Sequence, residues 1–306
     1  MIYDKDIGMW HKRNTSHYLI KDCYKNKYFF DNEGRVENNY QYNKVKKDVV
    51  IIGDSQIEGL SVDNRSVIHN SLYQELNGKY NVLNYALAGT GPVQQLEILK
   101  HKVNINKIDT LFQFVILEND LNDGDQATLN GVNRPKVYAI FESLDKYKVI
   151  KPKPYDYQEK SRDFIGNFEL YVYLKRTFNH YKRILLNLST STSLAPIKVI
   201  RPPLIVNEEY KWQQLKGAIY QTNKLAKKYR FKYVVIFLSS FEKLGYAQNS
   251  SKFEKFLKRH HVDSVNILPY LNTLESDRSL SYTCDGHWNK YTHSELAKYI
   301  GKNFDL

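Results

Sequence analysis

A chain of 306 residues with 42% hydrophobic and 25% charged residues is globular in composition, with room for one large domain or two small ones. No apolar run approaches the ~20 residues of a membrane span, and Met1–Trp10 lacks the charged-then-apolar pattern of a secretory leader, so a cytoplasmic protein is expected. The net charge of +12 calls for an anionic polymer, a phosphate-bearing cofactor, a membrane surface (peripheral association) or nucleic acid, but no nucleic-acid module accompanies it, which argues against specific nucleic-acid binding.

Residues 1–46 are polar and aromatic with little periodicity. Tyr28-Phe29-Phe30 before Asp31-Asn32-Glu33-Gly34 predicts a short strand and turn. This stretch reads as an N-terminal extension packed on a main domain of residues 47–306. Its cysteine, Cys23, and the other one in the chain, Cys284, are far apart. That spacing argues against a disulfide scaffold or a cysteine-based zinc site and fits a reducing compartment.

From Lys47 a β-α-β-α-β pattern begins. Val49-Val50-Ile51-Ile52 predicts a strand over 48–52 buried on both faces, as inside a parallel sheet. Gly53 then permits a sharp turn. Ser55 follows at the carboxyl end of that strand, where open α/β sheets bind ligands. It is a candidate nucleophile, although Gly-Asp-Ser also serves as a plain turn or helix N-cap. A helix over 64–77, a strand over 81–85, a helix from Pro92 to about Val103 and a strand over 110–117 come next.

Residues 124–195 break the alternation and read as an insertion or cap, with an amphipathic helix over 167–187. The segment either shapes a substrate cleft or packs peripherally. A short apolar run over 197–200, a helix over 209–229 and a strand over 233–238 follow. Next come a helix over 251–260, a strand over 265–268 and a last helix over 290–304. The alternation predicts a doubly wound, three-layer α/β/α fold with a mostly parallel sheet.

A nucleophilic serine needs a base, an orienting acid and an oxyanion site. Among the nine histidines, His287 has the best context, Thr283-Cys284-Asp285-Gly286-His287-Trp288-Asn289, in a loop before the last helix. Asp285 can hold the Nδ1–H of His287 across a tight turn at Gly286, leaving Nε2 for Ser55. His11, His17, His69, His101, His180, His260, His261 and His293 read as surface or packing residues. The candidate oxyanion donors are the Ser55 N–H, the Gly89 N–H and the Asn119 amide, each just after one of three successive strands. Asn and Gly after strands are also ordinary turn chemistry.

Gly53-Asp54-Ser55, Asn84 with Gly89, Asn119-Asp120 and Asp285/His287 together resemble the SGNH (GDSL-like) hydrolase superfamily, in order, over roughly residues 47–304. The resemblance implies Ser55 as nucleophile, His287 as base and Asp285 as its partner. It also implies an oxyanion hole of Ser55 N–H, Gly89 N–H and the Asn119 side chain, and no metal or bound cofactor. Two departures stand out. Leu117-Glu118-Asn119-Asp120 lacks the usual glycine, and Asn122-Asp123 offers a second asparagine. The usual Asp-x-x-His is shortened to Asp285-Gly286-His287, and with Trp288 it looks like the Asp-x-His-Trp signature of SGNH-like proteins that acetylate bacterial exopolysaccharides.

The expected chemistry is serine-dependent acyl transfer on a carbohydrate, most concretely O-acetylation of an anionic polysaccharide, with acetyl-CoA a candidate donor. Alternatives are a carbohydrate O-acetylesterase and, from another class, a non-catalytic glycan-binding protein.

Overall fold

The computed structural model describes residues 1–124, 135–151, 208–239, 247–275 and 278–306. They belong to one compact unit that takes in residues 1–153 and 207–306. The predicted helix over 167–187 and the run over 197–200 lie outside the described residues.

Four strands precede the predicted sheet: β1 (Ile2–Asp4), β2 (Gly8–Trp10), β3 (Thr15–Lys21) and β4 (Tyr24–Phe30). They form two antiparallel hairpins, β1/β2 and β3/β4. Only the end of β4 was legible as a strand.

The central sheet has five parallel strands. In sequence they are β5 (Asp48–Ile52), β6 (Asn81–Asn84), β7 (Ile108–Ile116), β10 (Lys232–Leu238) and β11 (Asp263–Asn266). Their spatial order is β11-β10-β7-β5-β6. Counting these strands alone, the order is 2-1-3-4-5, the flavodoxin-like doubly wound arrangement. In that arrangement the connections from the first and third strands depart in opposite directions, which opens a crevice at their carboxyl ends. Here those strands are β5 and β7.

Successive side chains of β5 point to opposite faces. Val50 and Ile52 enter one core, with Leu83, Ile98, Trp212, Ile219 and Phe253. Val49 and Ile51 enter the other, with Ile68, Leu72, Phe112, Leu296 and Ile300. All four β5 residues are completely buried, each worth roughly 1.5–3 kcal/mol of apolar burial. The first core packs α3 (Pro92–His101), α5 (Glu208–Tyr229) and α6 (Ala247–Arg259) on one face of the sheet. The second packs α2 (Ile68–Glu75), α7 (Leu268–Glu275) and α8 (Lys290–Asn303) on the other. These layers are the predicted three-layer α/β/α fold.

Several local expectations differ. The helix expected over 64–77 is a 3₁₀ turn, Asn64–Ser66, followed by α2. Two short helices were not anticipated: α1 (Ser55–Glu58), directly after β5, and α4 (Leu117–Asp123), directly after β7. The described part of the predicted insertion, 135–151, is an antiparallel hairpin of β8 (Tyr138–Phe141) and β9 (Tyr147–Ile150). Val137 and Ala139 of that segment pack with Val93, Leu96 and Ala218 on α3 and α5.

Candidate active site

Ser55 is the first residue of α1, with Asp54 as N-cap; the Asp54 carboxylate accepts the Gln56 N–H at 3.0 Å. The first N–H groups of a helix have no intrahelical acceptor, so the Ser55 N–H remains a donor at the strand end. Gly53 serves a purpose other than the expected one. It does not adopt a left-handed φ. Instead, a Cβ there would meet Ile57 Cγ1 at 2.8 Å and Phe114 Cβ at 3.3 Å, so glycine is required for room under α1.

The loop before α8 returns to this point. His287 Nε2 lies 3.0 Å from Ser55 Oγ. On the other side of the ring, Nδ1 bonds Asp285 Oδ1, which also accepts the His287 backbone N–H at 3.0 Å. Gly286 has φ +74°, a left-handed conformation suited to glycine, and this lets the acid and the histidine face each other two residues apart. Trp288 anchors the loop: it is 7% exposed in the second core. Its N–H donates to Gln56 Oε1 at 2.8 Å and its carbonyl accepts from Ser61 Oγ at 2.6 Å. The three residues singled out as nucleophile, base and acid are thus joined in one hydrogen-bonded chain.

Burial by itself would raise the Asp285 carboxyl. Hydrogen bonds from Tyr24 and His287 outweigh it and hold the group below its usual value, so it stays ionised beside the imidazole. Tyr24, at the start of β4, donates to Asp285 Oδ2, and Lys21 Nζ stands 3.9 Å from the same oxygen. Neither residue carried a signal in the sequence.

The bridge beside them overturns the reading of the cysteines. Cys23 and Cys284 are disulfide-bonded, with Cα atoms 5.9 Å apart. The β3/β4 turn is folded against the Asp285 loop, so residues 261 positions apart become neighbours. A reducing compartment is therefore not supported by the cysteine usage. Among the described residues no helix is long and apolar enough to cross a membrane.

Asn119 sits on the first turn of α4, where its Nδ2 donates to Asp54 Oδ2 at 2.9 Å. Asn122 points elsewhere, accepting from Lys211 Nζ at 2.8 Å. The α4 turn is fixed from below by Asp120, which is 1% exposed. Asp120 Oδ2 accepts the Ile116 N–H at 2.7 Å and Oδ1 accepts from Gln95 Nε2 at 3.1 Å. The chain continues through the core: Gln113 Nε2 donates to Gln95 Oε1 at 2.8 Å, and Tyr233 Oη donates to Gln113 Oε1 at 2.6 Å. Where the family pattern has glycine, Leu117 is completely buried, while Glu118 accepts from Ser239 Oγ at the end of β10.

Gly89, at φ +70°, lies in the loop after β6. Its position depends on Glu58, the last residue of α1. Glu58 Oε2 accepts the Ala88 N–H, and Oε1 lies 2.9 Å from His11 Nε2. His11 is 2% exposed and stacks on Phe30 at 4.0 Å. Contrary to expectation, it has a buried carboxylate partner. The N-terminal strands thus reach the site twice, through Tyr24 and through His11. Among the described residues no cluster of His, Cys, Asp or Glu is arranged to hold a metal ion.

No family model and no curated protein matches the chain. Among solved structures, the chain is similar to the acetyl xylan esterase AlAXEase at 12% identity and TM-score 0.44, covering 84% of this chain and 100% of the other. It is similar to a catalytic mutant of Axe2, an acetylxylan esterase from Geobacillus stearothermophilus, at 10% identity and TM-score 0.46, covering 85% and 95%. A lipase/acylhydrolase from Enterococcus faecalis matches at 10% identity and TM-score 0.42, covering 84% and 94%.

Proposed function

We propose that the protein is an SGNH-type serine acyltransferase that O-acetylates an anionic polysaccharide through an acyl-enzyme on Ser55. The observation that carries the reading is the chain from Ser55 Oγ to His287 Nε2, 3.0 Å, and from His287 Nδ1 to Asp285 Oδ1. Geometry of this kind suits general-base activation of a hydroxyl.

His287 Nε2 takes the Ser55 proton as Oγ attacks the donor carbonyl. The oxyanion faces the Ser55 and Gly89 N–H groups and the Asn119 amide. As the tetrahedral intermediate collapses, the donor's alcohol or thiol leaves with the proton from His287, and acetyl remains on Ser55. An acceptor hydroxyl then gives its proton to Nε2 and attacks the acyl carbonyl. The Oγ–acyl bond breaks, Ser55 recovers its proton, and the acetylated acceptor departs. Asp285 stays ionised throughout and stabilises the imidazolium.

Two features favour a glycan hydroxyl over water as acceptor. One is the Asp285-Gly286-His287-Trp288 form. The other is charge: a cleft of about 600 Å³ between α5 and α6, not itself lined by Ser55, Asp285 or His287, carries Lys216, Lys252, Lys255 and Arg259, with no carboxylate among the described residues of its wall. Burial, and then Lys252 and Arg259, lower the Lys216 pKa, as expected of a cation beside like charges. An anionic polymer suits that surface.

The test supplies p-nitrophenyl acetate or acetyl-CoA as donor, with neutral and anionic polysaccharides as acceptors, to the wild type and Ser55→Ala. Ser55-dependent transfer of acetyl to the anionic glycan is the expected result. Ser55-dependent release to water, undiminished by any acceptor, establishes an esterase instead. Equal behaviour of the two proteins moves the weight to glycan binding without catalysis.

A further inference from the structure

We propose that the N-terminal β3/β4 hairpin is a working part of the site. Tyr24 positions the Asp285 carboxylate, and the exposed Cys23–Cys284 disulfide holds that contact together, so the oxidation state of the bridge sets the rate of acyl transfer. The inference rests on the reading of Ser55, His287 and Asp285 as a catalytic triad.

The hairpin turns at Asp22-Cys23, between the paired residues Lys21 and Tyr24. The disulfide therefore joins the tip of the turn to the residue immediately before the triad acid. Tyr24 is 8% exposed, and its ring packs on Tyr282 at 4.7 Å, at the base of the acid's loop. Its hydroxyl donates to Asp285 Oδ2, the oxygen His287 leaves unused, while Oδ1 serves the imidazole and the His287 N–H. Both carboxylate oxygens are thus fixed, one by the hairpin and one by the base. The charged and titratable groups that face Asp285 are His287, Tyr24 and Tyr282, with Lys21 farther off at 3.9 Å. Burial and the adjacent carboxylate raise the Tyr24 pKa, which keeps the phenol a donor.

The acid's loop is anchored at its end by Trp288 and by the Tyr282 N–H to the His287 carbonyl at 2.9 Å, but its tip packs little. Thr283, Cys284 and Gly286 are exposed, and a Cβ on Gly286 would meet nothing within 4 Å. Across the loop, the Asp285 and Gly286 N–H groups return to the Tyr282 carbonyl at 3.4 and 3.0 Å. The covalent tie to the loop comes from the hairpin. Cys23 and Cys284 are both exposed, so a dithiol can reach the bridge. One thiolate attacks a sulfur and releases the other as a thiolate. The second thiol of the reagent then closes its own disulfide. Two electrons and two protons end on Cys23 and Cys284, and the dithiol is oxidised.

The test follows p-nitrophenyl acetate turnover over pH. It compares the oxidised protein, the same protein after dithiothreitol, Cys23→Ser/Cys284→Ser, Tyr24→Phe and Ser55→Ala. Reduction and the double variant are expected to lower kcat about tenfold with KM within about twofold, and reoxidation restores the reduced protein. Tyr24→Phe keeps its bridge, so it separates positioning from folding. It is expected to lose about tenfold in kcat. Its pH–rate profile is also expected to differ from wild type, because Asp285 loses one of the donors that hold its carboxyl below the usual value.

With Ser55→Ala inactive, the inference is overturned if reduced protein with two free thiols by titration keeps the wild-type kcat, or if Tyr24→Phe keeps the wild-type kcat and pH profile. Undiminished turnover by Ser55→Ala would overturn the triad reading, and this inference with it.

Discussion

Asn119 Nδ2 donates to Asp54 Oδ2 at 2.9 Å, which joins the residue before Ser55 to the first turn after the neighbouring strand β7. The turn that carries the proposed nucleophile and the amide proposed for the oxyanion are therefore positioned by one contact. Asp54 is 3% exposed. Burial raises its carboxyl, and hydrogen bonds from Asn119 and the Gln56 N–H oppose that rise.

Asn119→Ala is expected to lower kcat by about a hundredfold or more with little change in KM, the signature of a donor that acts on the transition state. Asn122→Ala, which gives up a partner on α5, should leave kcat within about twofold. The reverse pattern in steady-state kinetics would assign the oxyanion amide to Asn122.

Glu58 links three segments: the helix that begins with Ser55, the loop carrying Gly89, and His11 just after β2. It is 1% exposed. Glu58→Ala leaves a buried imidazole without its partner and the Ala88 N–H without its acceptor, so a loss of about 3 kcal/mol in urea unfolding is expected. Turnover should also fall, because Ala88 and Gly89 lose their anchor. Unchanged stability would show that the contact is dispensable.

Asp120 gives a stability effect with a definite sign. Its carboxyl is raised well above the usual value by burial and by the neighbouring Asp54 charge. The folded state thus holds a proton that the unfolded chain has released. That contribution is complete below about pH 4 and is lost as pH rises through the raised folded value. Asp285 acts oppositely, because its lowered pKa gives stability above the unfolded value that is lost on acidification. Melting temperatures of Asp120→Asn should therefore decline less than those of wild type as pH rises above about 4. Parallel curves would contradict this.

The basic cleft is the surface proposed for the acceptor. Lys252 Nζ stands 4.2 Å from the centre of the Trp212 ring, beside Lys216 and Arg259. Lys252→Glu with Lys255→Glu is expected to raise KM for an anionic polysaccharide about tenfold at low salt. Hydrolysis of p-nitrophenyl acetate should be unaffected. An equal change with both substrates would mean that the double substitution disturbs the fold rather than the acceptor.

The features legible in the sequence were those with local signals. The aliphatic runs of β5, β7 and β10 are buried on both faces and read directly as strands. Ser55, Asn119 and Gly89 each follow a strand of the same sheet, so their placement at its carboxyl edge was foreseeable once the sheet was parallel. Asp285 and His287 face each other across two bonds of chain, also a local property. What escaped was long-range. Nothing in Lys21-Asp22-Cys23-Tyr24 announces that it will meet Cys284 and Asp285, and an isolated His11 shows no sign of Glu58. Even at Gly53, where the sequence points to backbone freedom, glycine is required by the space taken by Ile57, visible only after folding.

The most direct test of the central claim is intact-mass and peptide mapping after incubation with a serine-directed fluorophosphonate. One adduct on the peptide containing Ser55 is expected. It should be absent from Ser55→Ala, strongly slowed in His287→Ala and accompanied by loss of acyl transfer. Acyl transfer that persists after complete labelling, or an adduct confined to another residue, would contradict Ser55 as the nucleophile.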